Sequence, residues 1–177
     1  MGMGEAMRTL VYCYRSGQLN NWLGLVKACV FPSVLTSPPL TAETFPYERL
    51  GERDLIYIAL HGLPGRDVLW GDNQVVALDA TRIAVGPRLR KGAVVILEGC
   101  YGLKTPFPEA FLERGAAAVI GSPVKTFDKL RGLGQAGRAG SALVKALRQG
   151  QPVAKAVAVQ AFSILKRIVM GETVIYR

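Results

Sequence analysis

The chain predicts an α/β fold, a mostly parallel sheet with helices on both faces. Three observations carry this reading. Short, continuously apolar runs recur at 8–14, 54–60, 93–98 and 116–121, the pattern of strands buried on both faces. Stretches with helical spacing or helix-stop signals lie between and after them. No internal repeat and no linker long enough to divide domains interrupts the 177 residues, so the expectation is one domain over 1–177, a length sufficient for a substantial core.

The elements follow in order. RTLVYCY (8–14) is β-branched and aromatic and reads as a buried strand. In 18–30, Leu19, Trp22, Leu23, Val26 and Val30 form one apolar helix face. Pro32, Pro38 and Pro39 are expected to break any regular element there. Residues 41–50 read as a short helical connection interrupted at Pro46. DLIYIAL (54–60) is the next strand and runs into His61-Gly62. Residues 68–78 hold a Gly-Asp-Asn turn between two apolar runs, a hairpin signal. Asp72 and Asp79 read as turn and cap residues, and 79–90 as a short helix ending near Gly86-Pro87.

AVVILE (93–98) is a third core strand and runs into Gly99-Cys100. PFPEAFLERG (106–115) has Pro108 near its start and Gly115 just past its end, the expected helix asymmetry. AAAVIG (116–121) is a fourth core strand, and 123–140 a long Gly- and Lys/Arg-rich connection. Helices are expected at 141–150, closed by Gly150, and at 153–169, opened by Pro152, with an edge strand at 172–177.

Composition excludes several classes. Half the residues are apolar and 20% charged, ordinary for a globular protein. No apolar run approaches the ~20 residues of a membrane span, and the start shows no secretion signal. The three cysteines, Cys13, Cys29 and Cys100, have no metal-ligand spacing, and the chain holds a single histidine; the expectation is no metal, no cofactor and a reducing, cytoplasmic compartment. The net charge of +9 is uneven: residues 121–177 hold 10 Lys/Arg against 2 acids, whereas 1–120 hold 12 against 11. The basic last third reads as a solvated face rather than a nucleic-acid platform, because its few aromatic residues do not form the interleaved array a stacking platform requires. GLGQAG (132–137) fits a dinucleotide-binding pattern, but DKLR rather than a strand precedes it and no acid lies between Asp128 and Glu172; it reads as a flexible loop.

The chemistry concentrates at two strand ends. His61 closes one apolar strand and Cys100 the next core strand, 39 residues later. That span suits a crossover back to a parallel neighbour, and neighbouring strands would deliver both side chains to the carboxyl edge where α/β sheets place their crevices. A thiolate is the nucleophile, and a histidine within reach can take the thiol proton and later protonate a leaving amine. The amides of Gly62 and Cys100 would donate to the oxyanion formed during attack. Cys13 and Cys29 read as core residues.

His-Gly after one hydrophobic strand and Cys-x-Gly after another resemble the caspase, gingipain, legumain and separase group of cysteine peptidases. With AFLERGAAAVIGS at 110–122 and LVKALRQGQPVAKAVAVQAF at 143–162, the closer resemblance is to the bacterial caspase-like domains called CHAT. It spans roughly 54–162, with EGCYGLK around the cysteine and Pro123 where a tryptophan is common. The resemblance implies a three-layer caspase-like fold, a Cys100–His61 dyad forming an acyl-enzyme, and a protein or peptide substrate, with a regulatory protein partner. It places Glu98 in the primary specificity pocket, favouring a basic residue by a charge-assisted hydrogen bond, with Arg15, Ser122 and Tyr101 beside it. The alternative is a catalytically silent module binding a partner in the same cleft.

Overall fold

The computed structural model describes residues 7–14, 29, 32–123, 135–157 and 174–176. Its main sheet is built from the apolar runs: β1 (Thr9–Tyr14), β2 (Ser33–Ser37), β3 (Leu55–Ala59), β6 (Val94–Leu97), β7 (Ala118–Gly121) and β8 (Val174–Tyr176), with the separate hairpin β4 (Val68–Trp70) and β5 (Val76–Asp79) intervening in sequence. The order is β2-β1-β3-β6-β7-β8. The first five strands are mutually parallel and β8 adds antiparallel to β7.

Period-two alternation gives each strand two apolar faces. Leu10, Tyr12, Ile56, Ile58, Val95, Leu97 and Val119 face one layer, which also holds α1 (Ala80–Val85) and α2 (Phe107–Glu113) through Ile83, Phe107 and Phe111. Val11, Cys13, Leu55, Tyr57, Ala59, Val94, Ile96 and Ile120 face the other, covered by Leu143, Val144 and Leu147 of α3 (Gln135–Arg148) and by Ala156 and Val157 of the helical stretch 153–157. Both faces are therefore closed, and the strands read as unbroken apolar runs for that reason.

Local chemistry sets the helix ends. The Asp79 carboxylate accepts from the amide of Thr81 at 2.7 Å and that of Arg82 at 3.4 Å, capping α1. Gly86 caps the end of that helix, at the Gly86-Pro87 stop expected of it. Asp72 lies in the 3₁₀ turn of the hairpin, as its residue type predicts.

Three expectations change. The proline-flanked segment at 33–37 is a strand, β2, paired only with β1. Pro32 and Pro38 lie just outside it, and a sheet edge tolerates flanking prolines because one side needs no ladder donors. The helical connection at 41–50 is instead a 3₁₀ turn at Tyr47–Glu52, after Pro46. The loop expected at 123–140 gives way to helix from Gln135, so α3 starts six residues earlier than read and absorbs part of GLGQAG. The helix expected at 18–30 falls outside the described residues except for Cys29, as does that at 153–169 beyond residue 157. No helix among the described residues is long and apolar enough to cross a membrane.

Candidate active site

β3 and β6 are hydrogen-bonded parallel neighbours whose last register pair is Ile58 with Leu97. The Glu98 amide still donates to the Ile58 carbonyl at 2.7 Å. Both chains then run past the same carboxyl edge, β3 into His61 and β6 into Cys100. There the two backbones touch. A Cβ on Gly62 would lie 2.5 Å from the Cys100 carbonyl oxygen, and one on Gly99 2.3 Å from that of Leu60. Only residues without a side chain allow this approach. Its consequence is that the two segments carrying the amides of residues 62 and 100, the expected oxyanion donors, lie in direct contact.

The hairpin pins His61. The His61 amide donates to the Trp70 carbonyl at 2.8 Å, and the Trp70 amide returns to the His61 carbonyl at 2.9 Å. The imidazole is exposed and stacks on Tyr14, the last residue of β1, with centroids 4.8 Å apart and planes inclined at 22°. Tyr14 itself is wedged against both hydrophobic clusters.

The three thiols differ in environment. Cys13 and Cys29 are sealed in the core, as expected of them, and burial pushes each up to about 11, so neither is a nucleophile near neutral pH. Cys100 is partly open to solvent. After it the backbone turns sharply. Tyr101 adopts a left-handed conformation, φ 58°, which costs a non-glycine residue roughly 1 kcal/mol. Strained positions of this kind cluster at functional sites. The turn is held by the Lys104 amide on the Tyr101 carbonyl (2.7 Å) and by the Leu103 amide on the Ser122 carbonyl (3.1 Å). Ser122 thus ties the turn after Cys100 to the end of β7, and Tyr101 lies within the turn, half-buried. Arg15 lies outside the described residues.

Glu98 points to the α3 side of the sheet. Its carboxyl accepts a hydrogen bond from the Tyr57 hydroxyl, and a Cβ on Gly140 would come within 3.1 Å of Glu98 Oε2 and 2.3 Å of Tyr57 Oη. Gly140 therefore lets α3 settle directly onto this pair, which explains a glycine inside a helix. Burial pushes the Glu98 carboxyl from the ordinary carboxylate range up to about 8. The linkage sign follows. Between about 4.5 and 8 the unfolded chain gives up a proton that the folded chain keeps, so stability falls as pH rises through that window. Glu98→Gln removes this dependence. Thermal melts of the two proteins from pH 4 to 9 should show a wild-type decline, on the order of a few kcal/mol, that is flattened in the variant.

Tyr57, Gly140 and Trp70 are site neighbours that sequence reading did not single out. Trp70 was reachable from the predicted hairpin, whereas Tyr57 and Gly140 meet Glu98 only through tertiary packing. Among the described residues no group of three His, Cys, Asp or Glu side chains could hold a metal.

No family model matches this chain, and none of the curated proteins does either. Solved structures match its fold. The Arg-specific cysteine proteinase gingipain R (RgpB) superposes with a TM-score of 0.54 at 14% identity over 89% of this chain and 42% of its own. The complex of Porphyromonas gingivalis RgpB pro- and mature domains gives 0.55 at 13% identity, over 90% and 44%. The Saccharomyces cerevisiae separase–securin complex gives 0.49 at 13%, over 78% and 9%. The chain thus spans less than half of the gingipain chains it resembles. At these identities the likeness concerns the fold, which is the three-layer caspase-like α/β fold.

Proposed function

We propose, from the premise of a caspase-like fold, that this chain is a cysteine endopeptidase acting through Cys100 and His61. The observation that supports it is the parallel pairing of β3 with β6, which carries an imidazole and a partly exposed thiol past one edge with their backbones in contact.

The chemistry uses side chains and backbone alone. The His61 imidazole accepts the Cys100 proton, and the thiolate attacks the scissile carbonyl carbon. The oxyanion that forms receives hydrogen bonds from the Gly62 and Cys100 amides. Collapse of the tetrahedral intermediate breaks the C–N bond, and the imidazolium protonates the departing amine. Water, deprotonated by His61, then attacks the thioester; the acid product leaves and the thiol is restored.

The resemblance makes Glu98 the acid of the primary pocket in this reading and assigns Tyr101, Ser122 and Arg15 to the same pocket. A protein or peptide with Arg or Lys at the cleavage position supplies the counter-charge. With the pocket empty, Glu98 is neutral below about pH 8; a bound guanidinium or ammonium favours its ionised form and expels the proton. Fluorogenic peptides varied only at the cleavage position test this. Arg and Lys substrates should be turned over about ten- to a hundredfold faster than the Glu substrate, the margin widening from pH 6 to 9 and collapsing in Glu98→Gln. Preference for the acidic peptide would contradict the role of Glu98. A wild-type chain that leaves the whole panel intact would instead be the catalytically silent partner-binding module.

A further inference from the structure

A general base of this kind needs its ring held in one orientation, and a third group ordinarily does so by a hydrogen bond to one ring nitrogen. Here the backbone of His61 is fixed on both sides by Trp70, and what meets the ring is the face of Tyr14. The separation of 4.8 Å and the 22° inclination lie within the range of offset-stacked rings. The stacking partner is itself immobile. Tyr14 closes a strand hydrogen-bonded on both sides and packs against both cores. A face contact has a property that an edge contact lacks, because both imidazole nitrogens lie on the ring edge and neither is consumed by stacking.

We propose that Tyr14 is the positioning residue of His61, holding the imidazole by its face so that both ring nitrogens stay available for proton transfer. The electrostatics act in the same direction. Once His61 has taken the Cys100 proton, an imidazolium lies over the negative face of an aromatic ring, a favourable cation–π arrangement. The catalytic consequence rests on the peptidase reading above; the ring contact does not.

The chain's single histidine makes the test unambiguous. In the full-length protein the imidazole Cε1–H resonance is followed by NMR against pH, for wild type, Tyr14→Phe and Tyr14→Leu. The wild-type resonance should show the ring-current shift of a stacked ring and a cross-relaxation peak to the Tyr14 ring protons. Tyr14→Phe should keep the shift. Tyr14→Leu should lose it. Its kcat for peptide hydrolysis should fall about tenfold with KM little changed, since orientation rather than substrate binding is lost. Equal ring-current shifts in wild type and Tyr14→Leu would overturn the proposal, as would Tyr14→Phe behaving like Tyr14→Leu, which would assign the role to the hydroxyl. Should Tyr14→Leu not fold, the wild-type cross-relaxation peak decides the matter, its absence being contradictory. A wild type without peptidase activity that still shows the cross-relaxation peak and the ring-current shift separates failure of the enzyme reading from failure of this one.

Discussion

Cys100→Ala abolishes peptide hydrolysis while leaving the fold intact. The expected loss in kcat is at least about a thousandfold, because no thioester forms without the sulfur and what remains is binding and oxyanion stabilisation of an uncatalysed attack by water. The fold survives because the Cys100 side chain is absent from both hydrophobic clusters. Its loss leaves no core cavity of the kind that costs several kcal/mol. Cys13→Ala is the informative contrast. That thiol is 2% exposed, so its truncation should lower the melting temperature and leave kcat close to wild type. Peptide hydrolysis and a melting curve on the two variants separate the roles; full activity in Cys100→Ala would remove the nucleophile from the account.

Gly62→Ala is the second large effect, and it arises from geometry rather than reactivity. The added Cβ would lie 2.5 Å from the Cys100 carbonyl oxygen and 3.3 Å from Leu69 Cδ2, and the obstacle at the shorter distance is backbone, which cannot rotate away. Retreat in the other direction is limited by the two hydrogen bonds that clamp His61 to Trp70. The segments carrying the imidazole and the thiol must therefore separate by a fair fraction of an ångström or more, and both proposed oxyanion donors move with them. A misplacement approaching 1 Å costs about a hundredfold in rate, and the crowding costs roughly 1–3 kcal/mol of stability. Steady-state kinetics paired with a denaturant titration should show both losses together. A Gly62→Ala protein with wild-type kinetics would mean that the contact is not part of the reacting geometry.

Much of this arrangement was legible in the residues, and the reasons differ by element. The runs that became β3, β6 and β7 carry no polar face, and only strands covered on both sides can be so uniformly apolar. Strands so placed are interior to a parallel sheet; that β3 and β6 are neighbours, which brings His61 and Cys100 to one edge, is what the sheet order adds. β2 is hidden because Pro32, Pro38 and Pro39 flank it and proline ordinarily breaks regular structure; its place at the sheet edge makes them tolerable. The start of α3 was hidden for a related reason. Glycine normally punctuates a helix, and Gly140 is helical because Tyr57 and Glu98 need the space its side chain would fill. Period-two alternation assigns Glu98 to a face, but its hydrogen-bond partner lies 41 residues away, beyond the reach of local pattern. The Tyr14–His61 stack joins β1 to the end of β3 and is equally invisible to spacing.

Alkylation of Cys100 by iodoacetamide, followed by mass spectrometry of the modified peptide as a function of pH in wild type and in His61→Ala, tests the pairing of thiol and imidazole most directly. An imidazole within reach of the sulfur takes its proton and raises its reactivity toward the alkylating agent. At each pH the wild-type thiol should thus be modified faster than that of His61→Ala. Superimposable profiles with and without the imidazole would contradict the dyad and leave the caspase-like fold without its chemistry.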